Sequence, residues 1–457
     1  MGGERRVITI GELGRIITGK TPSTRVADYF GGTTPFITPR DMDGRKVIDT
    51  TERYLTEKGV KAVANAVIPA GSIMVSCIGS DMGKVAISGQ ESVTNQQINT
   101  IIVDSGYDAE YIYYDLSRRK KEFKTMAAGS AQPILNKSDF SQVCIEIPPL
   151  PEQRAIAHIL GTLDNKIELN RKMNRTLEAM AQAIFKSWFV DFDPVIDNAL
   201  KAGKPIPDSL TKKAAKRKQV LEKVRQNHYP SLPKKIAELF PDEFEDAEIG
   251  PVPRGWRLVP LSEAIEVNPS RNLKRGSVAT YVEMKHMPTT LSRPTRWRRR
   301  KFTSGSKFIN GDVLLARITP CLENGKTAFV DFLKDGEVGW GSTEYIVLRT
   351  KPPLPLEFTY LLARSDKFRE HAIANMTGTS GRQRVPASCF DRFLVCIPTE
   401  DVARAFESLV HPIFHKTKSN DFQSRILRKL HNTLLPRLIN GEIEVDTAER
   451  IAQEIAG

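Results

Sequence analysis

The sequence predicts an α+β protein: two similar mixed α/β domains joined by two long coiled-coil helices, an internal pseudo-two-fold repeat. Three observations predict it. Apolar strand-like segments and their turns recur in the same order in residues 1–189 and 255–436. Each recurrence closes in a long helical segment with an apolar seam. The period, about 245 residues, is far longer than the roughly 20 to 50 residues of a solenoid unit, so a whole domain with its helix has been duplicated.

The first copy carries Ile68-Pro69-Ala70-Gly71-Ser72-Ile73-Met74-Val75, a turn entering an apolar strand, and the second carries Phe308-Ile309-Asn310-Gly311-Asp312-Val313-Leu314-Leu315. Gly83-Lys84 answers Gly325-Lys326, and the strand after Thr94 answers the strand after Ser342. A small polar loop follows in each, Gly129 to Gln132 and Gly378 to Gln383, then Phe140 or Phe390, and each globular part ends at a proline, Pro148 or Pro398. The expected organisation is a globular domain over 1–150, a long helix over 151–190, a linker over 191–250, a second globular domain over 251–398, a second helix over 399–436 and a tail over 437–457.

The helices follow from spacing. Ile156, Leu160, Leu163, Ile167, Asn170, Asn174, Leu177, Ala181, Ile184 and Trp188 fall at alternating steps of four and three, the seam of a coiled coil. Val402, Phe406, Leu409, Ile413, Lys416, Asn420, Gln423, Leu427, Leu430 and Leu434 repeat it, and Pro436 is placed to stop the helix. At 1.5 Å rise per residue each helix would span about 50 to 57 Å. Both seams turn polar midway, at Asn170 and Asn174 and at Lys416, Asn420 and Gln423. Such layers cost stability but fix register, so these five residues are expected to face one another when the two helices pair, antiparallel pairing putting the globular domains at opposite ends of a rod and parallel pairing crowding them at one.

Composition bounds the class. Of 457 residues 40% are hydrophobic and 26% charged, ordinary for a globular protein, and the formal net charge of +13 favours an anionic partner, nucleic acid first. No apolar run approaches the ~18 residues of a membrane span, so a cytoplasmic location is expected. The five cysteines, Cys77, Cys144, Cys321, Cys389 and Cys396, show no metal-ligand pairing and fit reduced core positions. The Lys-rich run from Lys201 to Lys235 and the acidic patch after it fit a solvated linker.

Gly14 to Thr21 satisfies the G-x-x-x-x-G-K-[ST] pattern of a phosphate-cradling loop. A working loop runs into a helix whose N-terminal amides face the phosphates. Here Pro22-Ser23 follows, then Thr24-Arg25-Val26 without a helical face, so nucleotide binding is not expected. No amino-methyltransferase Pro-Pro-aromatic run and no F-x-G-x-G loop for a methyl donor occur. Glu122-x-Lys124 lacks the upstream partner of a nuclease, and no His stands at nucleophile or metal spacing. The chain reads as a binding protein, with catalytic residues: none, and metal: none.

Gly19-Lys20-Thr21-Pro22-Ser23 with Pro35-Phe36-Ile37-Thr38-Pro39, then Pro148-Pro149-Leu150-Pro151-Glu152-Gln153, resemble the specificity subunit of type I restriction-modification enzymes. Phe185-Lys186-Ser187-Trp188-Phe189-Val190-Asp191-Phe192 and Leu434-Leu435-Pro436-Arg437-Leu438 through Gly441-Glu442-Ile443 extend the resemblance over nearly the whole chain. Ile397-Pro398-Thr399-Glu400-Asp401 departs from the Pro-x-Glu-Gln helix start, so the second helix is expected to begin or dock differently. The resemblance implies two target-recognition domains, each reading one half of a split, asymmetric site in double-stranded DNA, joined by two long antiparallel coiled-coil helices that hold them apart. It implies two modification subunits that bind S-adenosylmethionine and two restriction subunits that use ATP and Mg, with no cofactor on this chain. The alternatives are a nuclease or NTPase with an unrecognised active site, and a coiled-coil scaffold that binds protein.

Major-groove readout pairs Arg or Lys with guanine and Asn or Gln with adenine, each good bidentate pair contributing about 1 to 3 kcal/mol of discrimination. The candidates are Lys20, Arg40, Lys84, Asn95, Gln96 and Gln132 in the first domain, and Arg317, Asn324, Lys326, Arg382, Gln383 and Arg384 in the second. Arg293, Arg296, Arg298, Arg299, Arg300 and Lys301 form the densest basic cluster, expected to contact phosphates.

Overall fold

The computed structural model describes residues 4–127, 134–226, 232–379 and 381–456. The chain divides into two compact units, Met1–Glu168 with Gln423–Gly457, and Leu169–Phe422.

In the first unit the apolar run Ile73–Ser76 is buried along its whole length, as a short hydrophobic segment bounded by turns should be. It pairs antiparallel with Ile98–Val103, which pairs in turn with Gly14–Thr18. Val85–Ser88 and a parallel edge strand, Val47–Ile48, complete a five-stranded sheet. A second sheet runs in the order Arg53–Leu55, Phe30–Ile37, Ser92–Thr94, Val67–Ile68, with its central pair parallel. Arg6–Thr9 and Cys144–Ile147 bring the two ends of the globular part together.

The helix Ala109–Arg118 begins where Asp108 accepts a bond from the Tyr111 amide at 2.9 Å, satisfying an amide the first turn cannot. Its buried face of Tyr111, Ile112, Tyr114 and Leu116 shares one core with Ile156, Leu160, Leu163 and Ile167 and with Leu427, Leu430, Leu434 and Leu438. Each fully buried leucine contributes about 1.5–3 kcal/mol. The two helical stretches run antiparallel, since Glu152 pairs with Arg5, which also bonds the Leu438 carbonyl, while Asp164 lies 3.6 Å from His431.

The second unit repeats this plan. One sheet has the order Ile265–Val267, Tyr345–Thr350, Asp312–Ala316, Thr327–Phe329, and the other Arg298–Lys301, Val278–Val282, Gly339–Gly341, Lys307–Phe308, again with a parallel central pair. Arg257–Pro260 pairs with Leu394–Ile397 as Arg6–Thr9 pairs with Cys144–Ile147. Phe185, Trp188 and Phe189 pack on Phe406, with Phe189 and Phe406 edge to face at 4.8 Å. Asn174 meets Thr417 and Asn170 meets Asn420, so this stretch is antiparallel too.

Both long helices have 40 residues, Leu150–Phe189 and Glu400–Ile439, and each starts two residues after its proline. The missing Pro-x-Glu-Gln therefore does not shift the second start. In the first helix Gln153 is buried, accepting from the Asp108 amide and donating to the Pro148 carbonyl, both at 2.9 Å.

Three expectations need correction. The second helix does not stop at Pro436; Pro436 sits inside its last turn, and Arg5 donates to the Leu438 and Ile439 carbonyls that the helix end leaves open, with Gly441 at φ +69 turning the chain. The residues beyond are no tail, because Val445–Ala456 is a helix with Ala448 wholly buried. Residues 191–250 are no solvated linker. Asp193–Ala202 buries Val195, Ile196 and Ala199, Thr211–Arg225 is tied back by Arg217 to Asp197 and Lys213 to Asp191, and Phe244–Ala247 pairs with Gly250–Pro253.

The second seam also slips. Lys416 is exposed and Gln423 only half-buried, while Thr417 and Ser424 take the buried places one residue on. An α-helix of 3.6 residues per turn drifts about 20° per heptad from a strict 3.5 repeat, so a facing position moves on by one after two or three heptads.

Candidate nucleic-acid interface

In the first unit two of the predicted readers, Arg40 and Asn95, line a polar cleft of about 720 Å³ together with Gln97, Asp81, Asp41 and Arg53. The loop that carries Arg40 is closed by the buried Asp41, which accepts from the Thr38 amide and hydroxyl, both at 2.8 Å, and from the Glu52 amide. Lys84 donates to the Pro39 carbonyl at 2.8 Å and pairs with Asp81 at 3.0 Å, fastening that loop to the sheet. Lys20, held by its amide to the Thr94 carbonyl, and Gln96, which accepts from Thr21, are both exposed beside it.

Asn95 departs from its expected role as an offered amide. It is buried, its oxygen accepts from the Gln97 amide and its nitrogen donates to the Gln97 side chain at 3.0 Å, so it shapes the turn that sets Gln97 at the cleft. Gln132 lies outside the described residues. Sequence reasoning missed Gln97 and Arg53. The doublet Gln96-Gln97 was a visible signal for the first, whereas Arg53 is set over the Phe36 ring at 5.0 Å by a strand pairing that no local pattern announces.

The phosphate-loop lookalike is a strand: Gly14–Thr18 lies in the sheet, and a Cβ on Gly19 would meet the Asn95 carbonyl oxygen at 2.2 Å. Gly19 is there for close backbone approach, with no helix following to face a phosphate.

The second unit presents different chemistry on the same frame. Gly83 and Gly325 share left-handed φ values, +81 and +72, which a side chain would strain. The lysine after each donates inward, Lys84 to the Pro39 carbonyl and Lys326 to the Met284 carbonyl at 3.1 Å. Arg317 is half-buried with its amide on the Glu344 carbonyl, whereas Asn324 and Arg382 are exposed and Gln383 half-exposed. Arg384 is exposed and grips Glu344 through two nitrogens.

Arg296 and the edge strand Arg298–Lys301 are exposed. Alternation along the strand sends Arg298 and Arg300 toward the Tyr281 ring, Arg300 at 4.8 Å, while Arg299 pairs with Glu337 and Arg298 also with Glu283. Glu283 is held below the ordinary glutamate range by its bond to Lys285 first, despite some burial, and then by Arg298.

Arg293 is the clear correction. Rather than facing solvent it is buried, with its side chain 2% exposed, donating to Asp331, to Asp421 at 3.2 Å, to Thr417 at 2.8 Å and to the Phe414 carbonyl at 2.8 Å. A cation so enclosed cannot reach a phosphate; it fastens the segment after the strand Thr327–Phe329 to the second long helix. Asp421 also accepts from Asn174 at 2.8 Å, and Asn420 donates to Asn174, so the polar layer and this junction form one network.

Comparison with known proteins shows what the duplicated frame is similar to. A family model described as Type I restriction modification DNA specificity domain matches residues 4–179. The MjaIX type I restriction enzyme specificity subunit of Methanocaldococcus jannaschii is 27% identical over 456 residues, covering 96% of this chain and 93% of the relative. Residues 4–179 thus match a type I restriction modification DNA specificity domain, and the chain over nearly its whole length is similar to type I restriction enzyme specificity subunits. The HindI specificity subunit of Haemophilus influenzae is 25% identical over 403 residues, 80% of this chain and 83% of its own. The crystal structure of the S subunit from M. genitalium shares the fold, with a TM-score of 0.54 at 14% identity, covering 95% of this chain and 96% of that one.

No group of three His, Cys, Asp or Glu among the described residues could hold a metal ion. No helix among them is long and apolar enough to cross a membrane.

Proposed function

We propose that this chain is a type I restriction-modification specificity subunit and reads a bipartite, asymmetric site in duplex DNA, one half with each unit, while the paired helices set the spacer between the halves. The observation that carries the reading is one backbone frame used twice with different side chains displayed. Arg40, Gln96 and Gln97 stand on it in the first unit, and Arg382, Gln383 and the Arg296 to Lys301 run stand on it in the second. Two unlike readers on a common frame suit two unlike half-sites. The exposed arginines of the edge strand are placed to neutralise phosphates, and the loop residues to meet base edges.

The chain itself is non-catalytic in this reading. Methylation comes from two modification subunits that carry S-adenosylmethionine, and cleavage from two restriction subunits that use ATP and Mg, all acting in the cytoplasm. The first long helix leaves an apolar stripe for such partners. Leu169 and Met180 are 52% and 49% exposed, and the half-buried Met173 lies between them on the same face.

Methylome mapping in a host that expresses the chain with its modification subunit tests this. An asymmetric two-part motif is expected, its gap changing without change of either half when one heptad is deleted from both helices. A single uninterrupted motif, or methylation or cleavage by the chain alone, would refute it. A protein-binding scaffold would show no salt-dependent affinity for duplex DNA.

A further inference from the structure

The loop that carries Arg382 and Gln383 leaves the second unit beside a bridge and returns through it. Thr377 and Arg384 exchange both backbone bonds, at 2.9 and 2.8 Å, and the Gln383 carbonyl accepts from the Thr319 amide at 3.0 Å. Between them Gly378 and Gly381 adopt φ values of +119 and +78, conformations that a side chain would strain, and the Arg382 amide bonds the Thr379 carbonyl at 3.0 Å. An ion pair also holds it from the side. Arg384 places Nε 2.9 Å from one oxygen of Glu344 and 3.0 Å from the other, adds Nη2 at 2.8 Å, and turns Nη1 back to the Arg382 carbonyl at 3.4 Å. All three nitrogens of the guanidinium are engaged within the chain.

The first unit lacks this device at the matching positions. The Cys77 amide bonds the Gln97 carbonyl as the Arg317 amide bonds that of Glu344, and Ile134 bridges Ile78 as Arg384 bridges Ile318. The carboxylate and the guanidinium of the second unit are therefore replaced there by Gln97 and Ile134.

We propose that Glu344 is a positioning residue for DNA recognition by the second unit: its carboxylate latches Arg384 and so fixes where Arg382 and Gln383 meet the bases, without itself touching DNA. Fork-to-fork pairing of Arg with a carboxylate fixes direction as well as distance, which a single lysine contact would not. Arg384 thereby leaves the list of base readers, and Arg382 and Gln383 remain on it. This rests on the proposed reading of two half-sites.

The test is the methylome of the full chain with its modification subunit, carrying Glu344→Gln, Arg384→Gln, or Glu344→Arg combined with Arg384→Glu. Each single change is expected to weaken discrimination several-fold at one half of the motif, leaving the other half and the gap as in wild type. The exchange of the two residues is expected to restore it. Tryptophan fluorescence melts of each variant at the wild-type midpoint exclude loss of folding. Unchanged specificity in Glu344→Gln refutes the latch, and so does an exchange that stays as relaxed as the single variants, since Arg384 would then be reading DNA directly. A wild-type methylome without a two-part motif instead refutes the underlying reading.

Discussion

Arg293→Ala should unfasten the second unit. Arg293 is buried, and its guanidinium neutralises Asp331 and Asp421 while filling the Thr417 hydroxyl and the Phe414 carbonyl. Removing one member of a buried ionic cluster leaves its partners as uncompensated charges, which costs about 3–5 kcal/mol. The Asp331 and Asp421 side chains are 17% and 30% exposed, so water reaches them and the lower end, about 3 kcal/mol, is expected. For a unit of this size that corresponds to a fall of roughly 6–12 °C in Tm. The chain offers a selective probe, because all four tryptophans, Trp188, Trp256, Trp297 and Trp340, lie in the second unit. Their fluorescence in a urea titration isolates that unit, and the midpoint should drop at unchanged slope. A loss below about 1 kcal/mol, the value of a surface pair, would refute the reasoning. If DNA affinity fell instead, with stability intact, the phosphate contact expected from the basic run would be right after all.

Asn174→Leu should destabilise the same unit by about 1–3 kcal/mol despite adding apolar volume, because it removes a donor to Asp421 and the acceptor of Asn420. The same urea titration measures it, and a more stable variant would contradict the account of the polar layer. Cysteine labelling at pH 8 should modify Cys144, which is exposed, well before Cys77 and Cys396, whose thiols burial pushes up to about 12 and which therefore stay protonated. Equal labelling rates without denaturant would show those cores to be open.

The features legible in the sequence were those with local causes. Ile73 to Ser76 and Asp312 to Ala316 announce buried strands by composition, and Ile156 through Asn174 announces a seam by spacing. The slip at Lys416 was not legible, since it depends on accumulated drift of the helix against a fixed repeat. The helices within residues 191–250 hide behind lysines because a few apolar side chains, Val195, Ile196 and Ala199, suffice to anchor them once Asp191 and Asp197 absorb the nearest charges. At the candidate interface, exposed residues such as Arg40, Gln96 and Arg382 follow from residue type and loop position. Arg293 and Arg384 do not, because the acids that claim them stand 38, 128 and 40 positions away.

The division of the chain has a consequence for synthesis. Leu169–Phe422 is one uninterrupted stretch, so its core can close while translation continues. The other core waits for Leu427, Leu430, Leu434 and Leu438, and the Arg5 contact that caps them spans 434 residues. The first unit, begun before the second, is therefore finished after it, and a nascent chain that stalls late keeps the apolar face of its first long helix bare to solvent.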